Sequence, residues 1–231
     1  MIPKRIHYCW YGNNKKSDLI IKCINSWKKF FPDYEIIEWN ESNTDINENN
    51  YIKEAYRLKK WAYVSDYIRF KVLYEYGGIY FDVDVEVIRK YPKELLELNS
   101  FSGIEAASGL VSPGLIYACL PKDELVNEIL KTYENDKFVL DIPEKMKTVN
   151  KRISSILDKY GYVHEDVKQT ICGLTIFPNE YFCGYDGEKR CPLVTKNTLS
   201  IHHYAASWLP WYRKVKLKAG TLIRHIKYKI K

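Results

Sequence analysis

Residues 77–87 read GGIYFDVDVEV, and the fold of the chain follows from where this stretch is placed. Gly77 is a natural left-handed terminator of whatever helix precedes it, and Gly78 releases the chain into an extended segment. Beyond the glycines apolar and polar residues alternate. Ile79, Phe81, Val83, Val85 and Val87 fall on one face of a predicted strand, and Tyr80, Asp82, Asp84 and Glu86 on the other. Asp82 and Asp84 are then about 6 to 7 Å apart on one side. Alternation by itself describes the solvated face of a half-buried strand. Two parallel carboxylates can also share a hard divalent cation, which leaves coordination positions for phosphate oxygens.

The segment in front changes that balance. Over residues 52–76 the pattern predicts one long helix, with Leu58, Trp61, Ala62, Ser65, Ile68, Val72, Leu73 and Tyr76 as its buried face. Asp66 and Arg69 lie beside or within that face, where charges are costly unless paired with each other or with something bound. One reading is a buried ion pair that orients the helix. The other is that Arg69 reaches a phosphate or sugar hydroxyl and Asp66 a sugar hydroxyl, near the end of the acidic strand.

Working outward, IPKRIHYCW (2–10) reads as a first strand, Ser17 or Asp18 caps a helix that stops at Pro32, and YEIIEW (34–39) is a second strand. A strand, helix and strand with short joins imply a right-handed crossover and a parallel sheet, with ligands beyond the carboxyl ends of the strands. That places Trp10 and its loop at a site mouth. The piece 40–50 is a polar connection. Downstream, helices are expected over 123–135 and 143–161, a short strand over 173–178, and a last strand running into a loop over 199–208. In that last piece His202 and His203 stand side by side, so in a strand only one of them faces a given side. Ser207 and Trp208 add a hydroxyl and an indole N–H as donors to a diphosphate.

The net charge of +7 belongs to one end of the chain. Residues 209–231 hold eight Lys or Arg and no acid, which leaves 28 basic against 29 acidic residues in the body. A nucleic-acid binder needs a basic patch woven through the fold, and that class is set aside. The tail carries Val215, Ala219, Leu222, Ile223, Ile226 and Ile230 at helical spacing among its basic residues, the composition of a basic amphipathic helix, either packed or lying on anionic lipid through residues 213–231. Six cysteines without C-x-x-C spacing and the absence of an apolar leader predict free thiols in the cytoplasm.

Taken in order, IPKRIHYCWYG, WAYVSDYIRFKVLYEYGGIYFDVDV and SIHHYAASW resemble glycosyltransferase family 32, the DXD-containing sugar-transfer family of capsule and lipopolysaccharide enzymes, related to the glucosyltransferase domains of large clostridial toxins. The resemblance implies a single α/β domain of GT-A type, Rossmann-like, with a mostly parallel central sheet flanked by helices; it occupies 1–209, ahead of the basic tail over 210–231. It implies a nucleotide-diphospho-sugar donor, UDP-sugar favoured, a glycan or lipid-linked acceptor, and Mn²⁺ or Mg²⁺. By it Trp10 stacks on the nucleobase, Asp66 and Arg69 hold the donor sugar and Tyr80 lines the pocket. Asp82 contacts ribose and sugar, and Asp84 ligates the metal. His203, with His202 as the second choice, completes the metal site, and Ser207 and Trp208 bind the diphosphate. The expected activity is retaining transfer onto a bacterial surface glycan at the inner face of the membrane. The alternatives are a toxin-like effector that glycosylates a protein and a non-catalytic membrane-peripheral sugar-nucleotide-binding protein.

Overall fold

The first forty residues form the strand–helix–strand unit that their pattern predicts. In the computed structural model, which describes residues 1–138, 147–186 and 191–205, β1 (Arg5–Cys9) and β2 (Glu35–Trp39) pair in parallel on either side of α1 (Asp18–Phe30). Ser17 is the cap: its side chain accepts from the Ile20 amide, and Asp18 adds a negative charge in the first turn. Trp27 on α1 is fully buried and its indole N–H donates to the Val85 carbonyl at 2.8 Å, which ties the helix to the segment after the acidic motif.

The helix expected over 52–76 is two helices, α2 (Asn50–Arg57) and α3 (Trp61–Tyr76). The break is a C-cap of Schellman type with lysine in place of glycine. Lys59 is left-handed at φ 55, its amide donates to Tyr56 O at 2.8 Å, and the Lys60 amide donates to Ala55 O at 2.8 Å. The apolar stripe runs on across the break because Leu58 and Trp61 both pack on the same core, so periodicity alone carries no sign of it.

The strand expected over 79–87 is also two, β3 (Gly78–Tyr80) and β4 (Val85–Val87). After Tyr80 the backbone changes partners. The Phe81 amide donates to His7 O, the Asp82 amide to Gly114 O, and the Val85 amide closes a turn on Asp82 O at 3.1 Å. Asp82 and Asp84 therefore sit at a turn where the chain leaves the main sheet, and they do not share a strand face. Asp84 is only 8% exposed, and Asp82 is half-buried.

The remaining elements are α4 (Lys93–Leu96), β5 (Ser100–Gly103), β6 (Tyr117–Cys119), α5 (Glu124–Glu134), α6 (Val149–Leu157), β7 (Gln169–Ile171), β8 (Leu174–Phe177), α7 (Asn179–Phe182), the short pair β9 (Tyr185–Asp186) and β10 (Cys191–Pro192), and β11 (Ser200–His202). The expected helix over 123–135 is α5, and the described part of the one over 143–161 is α6 followed by a 3₁₀ turn. Among the described residues the main sheet has seven strands in the order β2-β1-β3-β6-β5-β8-β7; five run the same way, and β6 and β7 are reversed. β4 pairs antiparallel with β11 in a separate two-stranded sheet.

Side chains from alternate positions of the main sheet enter two cores, one against α2, α3, α5 and α6 and one against α1 and α7. This is a three-layer α/β domain, and burial on both faces explains why β3 has no polar side. The tail over 210–231 lies outside the described residues. Cys9, Cys23, Cys119, Cys172 and Cys183 are free thiols. Among the described residues no helix is long and apolar enough to cross a membrane.

Candidate functional site

Because β1, β3 and β5 run the same way, their carboxyl ends bring together the loops after Cys9, Tyr80 and Gly103. Arg69 on α3 reaches this edge from below. It is 3% exposed, with Nη2 at 2.8 Å from Asp66 Oδ1 and 3.3 Å from Asp82 Oδ1. Its guanidinium carbon lies 4.8 Å from the centre of the Tyr80 ring, and its Nε donates to Ser65 O at 3.2 Å. The Tyr80 hydroxyl donates to the same Asp82 oxygen at 3.1 Å. One arginine is thus held between two carboxylates and over an aromatic face, with its orientation set by four partners. The ion pair and the sugar-site reading turn out to concern the same group, since the pair includes the first aspartate of the motif.

Burial pushes the Asp66 carboxyl up to about 6, against the pull of Arg69. Burial also opposes the charge on Arg69, but Asp82, Tyr80 and Asp66 outweigh it and keep the guanidinium protonated. The loop at Gly114 passes close by Asp82, whose amide donates to Gly114 O at 3.0 Å.

Asp84 faces elsewhere. Its Oδ2 accepts from the Ala205 amide at 2.7 Å and its Oδ1 lies 3.2 Å from His202 Nε2. Burial works against its ionisation, yet His202 and the Ala205 amide prevail and hold the carboxyl down at about 2. Asp84 raises the His202 imidazole in return, against burial. The other ring nitrogen, Nδ1, is buried without a hydrogen-bond partner among the described residues, and the ring stands edge-on to Tyr204 at 4.2 Å.

His203, the histidine expected at the metal position, is not the one beside Asp84. Its Nε2 lies 2.8 Å from Glu86 Oε2, which Lys22 Nζ also reaches at 2.8 Å. The reason is strand geometry. β11 lies antiparallel to β4 with His202 opposite Val85, and consecutive side chains leave a strand on opposite sides.

A divalent cation fits the donor set in part. An ionised carboxylate with one oxygen turned to an imidazole nitrogen offers two ligands, and Mn²⁺ and Mg²⁺ accept both types. Among the described residues no group of three His, Cys, Asp or Glu joins at one point, so such an ion would complete its shell with oxygens of the bound ligand and water. Trp10 is half-buried on the α1 side of the sheet, where its indole N–H donates to Asn14 O at 2.8 Å and Lys16 lies over its ring at 5.4 Å. Ser207 and Trp208 lie outside the described residues.

Two residues at this edge escape sequence reasoning. Gly114, in SPGL, signals a turn and nothing more. Glu41, inside the connection read only as polar, accepts from the Gly12 amide at 2.7 Å and the Tyr56 hydroxyl at 3.2 Å. An acid two residues beyond the second strand of a strand–helix–strand unit is the signal that could have found it.

Residues 17–102 match the family model described as the glycosyltransferase sugar-binding region containing the DXD motif. Inositol phosphoceramide mannosyltransferase 3 of Schizosaccharomyces pombe is 33% identical over 91 residues, 36% of this chain and 24% of that protein. Subversion of eukaryotic traffic protein A of Legionella pneumophila subsp. pneumophila is 26% identical over 121 residues, 41% of this chain and 19% of that protein. The chain spans about a quarter or less of these curated relatives. Among solved structures, PaToxG glycosyltransferase superposes with a TM-score of 0.50 at 18% identity over 68% of each chain. A glycosyltransferase involved in glycosylation of the major capsid of PBCV-1 superposes at 0.51 with 11% identity, over 94% of this chain and 100% of that one. The two superpositions show a fold shared with those two glycosyltransferases, and the segment that matches the family model contains Asp66, Arg69, Asp82 and Asp84.

Proposed function

We propose that the protein is a metal-dependent glycosyltransferase that moves a sugar from a nucleotide-diphospho-sugar donor to a growing bacterial surface glycan. The observation that carries this reading is the Asp66–Arg69–Asp82 group, a buried cation with two carboxylates at the carboxyl edge of the sheet, beside a separate ionised Asp84. Sugar transfer builds positive charge at the anomeric carbon and negative charge on the departing diphosphate. In this reading Asp66 and Asp82 hold sugar hydroxyls, and Arg69, paired with both, keeps them in place. Bound between Asp84 and His202, Mn²⁺ or Mg²⁺ would supply Lewis acidity to the diphosphate, worth several kcal/mol.

Carboxylates already satisfied by an arginine are poor nucleophiles. This argues against a covalent enzyme intermediate; retention of configuration, with the leaving phosphate taking the acceptor's proton, is what the resemblance to family 32 implies. The basic residues of 213–231 would hold the enzyme peripherally on the inner face of the cytoplasmic membrane.

The test is nucleotide release from a panel of UDP-, GDP- and ADP-sugars, with and without Mn²⁺. Metal-dependent release that Asp84→Asn lowers by at least about 100-fold is expected; release by that variant equal to the parent would remove the metal role. A second reading is an effector that glycosylates a protein; what favours it is the match to a protein named for the subversion of eukaryotic traffic. Labelled sugar appearing in whole-protein extracts and not in lipid-linked acceptors would favour it.

A further inference from the structure

Glu41 holds a carboxylate oxygen that no described residue binds. Its Oε1 takes both the Gly12 amide and the Tyr56 hydroxyl, whereas Oε2 is buried without a hydrogen-bond partner among the described residues. A buried acceptor left unmade costs more than a made bond returns, so such an atom calls for an explanation.

The surroundings point to a ligand. Gly12, at φ +90, passes so close to Trp61 that a Cβ would stand 2.7 Å from the indole nitrogen, and Tyr56 packs edge-on to the same indole at 5.0 Å. Glu41 therefore lies at the carboxyl ends of β1 and β2 next to an aromatic wall. From Trp61 the helix α3 leads directly to the sugar end of the site. Trp61, Ser65 and Arg69 recur every four residues, with the Ser65 hydroxyl on Trp61 O and Arg69 Nε on Ser65 O. Eight residues of helix span about 12 Å, which is the scale of a nucleoside with its first phosphate.

We infer that Glu41 recognises the nucleoside of the donor, its Oε2 accepting one hydrogen bond from the base or the ribose while the sugar lies at Arg69 and Asp82. The inference rests on the reading of the site as a nucleotide-sugar site. With Oε1 already accepting twice, Glu41 cannot offer the two-oxygen fork that the adjacent N–H groups of guanine would use. A lone oxygen suits a single donor, the imide N–H of uracil or one ribose hydroxyl.

Isothermal titration in Mn²⁺ separates the possibilities, with UDP, 3-methyl-UDP and 2′-deoxy-UDP against the parent and Glu41→Gln. The expected result is UDP binding weakened about tenfold or more in Glu41→Gln. One modified nucleotide should also be penalised by the parent and not by the variant. The methyl group reports a base contact and the missing hydroxyl a ribose contact. Because that ratio compares ligands on one protein, general loosening of the Gly12 loop does not mimic it. If the parent binds UDP and both proteins show the same ratios, the Glu41 assignment is overturned and the site reading stands. If the parent binds no nucleoside diphosphate, including GDP and ADP, both fall.

Discussion

Gly114 leaves no room for a side chain beside Asp82: a Cβ built on it would stand 2.2 Å from Asp82 Oδ2 and 3.0 Å from its Cγ. The contact joins the loop before β6 to the one carboxylate that both Arg69 and Tyr80 hold. Gly114→Ala should push Asp82 off its partners while the Asp82 amide keeps its bond to the loop. Sugar transfer is expected to fall about 100-fold, since small misplacements near reacting atoms have effects of that size. Nucleotide-release kinetics together with a thermal melt check this. Parental activity in the alanine variant would show that the loop yields and that Asp82 is not set by it.

The two adjacent histidines separate by function. His202 meets Asp84 and His203 meets Glu86, so His202→Ala should raise the Mn²⁺ concentration needed for half-maximal nucleotide release about tenfold or more, as loss of a ligand does. His203→Ala, on the half-exposed side with Lys22, should change it less than about threefold. A metal titration of both variants decides. The reverse order would return the metal position to His203.

His7 predicts acid sensitivity. It is fully buried on β1, where Nδ1 accepts from the Trp39 indole N–H at 3.1 Å and Nε2 donates to Gly77 O at 2.8 Å. Both partners suit the neutral ring. Burial lowers its value from 6.5 to about 4, with Arg5 acting in the same direction and the Gly77 carbonyl and Glu35 against it. A base depressed on folding contributes stability that is complete above pH 6.5 and is lost as pH falls toward about 4, to a total of about 3 kcal/mol. Urea unfolding at pH 7.0, 5.5 and 4.5 measures it. His7→Gln, whose amide supplies one acceptor and one donor and gains no proton, should have a flatter profile over that range. Identical slopes in the two proteins would refute the assignment.

Lys59 occupies a glycine position. Its φ of 55 closes α2, and a residue with a Cβ pays about 1 kcal/mol there. Lys59→Gly should raise the melting temperature by about 2 to 4 °C. An unchanged or lower midpoint would mean that the lysine side chain contributes something the backbone geometry does not show.

Much of the architecture was readable in advance because its causes are local. Ser17, Pro32 and the apolar spacing of Ile20, Ile24 and Trp27 mark α1 without reference to anything distant. Gly77 and Gly78 end α3 and open β3 where expected. Asp66 and Arg69 were legible as a pair because two charges on an apolar face need partners. The breaks were not. Lys59 takes a conformation that lysine seldom adopts, and the turn at 83–84 hides behind an alternation that a continuous strand would show equally well. Glu41 was hidden by its composition, since an acid in NESNTDINENN resembles any other polar loop residue.

By itself, the sequence determined the strand–helix–strand start, the long apolar helix face, the placing of a DXD motif after two glycines, and the separation of basic tail from neutral body. These follow from periodicity, caps and charge, which act between residues a few positions apart. Only the tertiary structure decided which way each motif residue faces. Asp82 turns to Arg69 because β3 is paired to β1 and the loop at Gly114 is brought against it. Asp84 turns to His202 because β4 leaves that sheet and pairs with β11. Those pairings join segments distant in the chain, and a period of two carries no record of where a strand exchanges one partner for another.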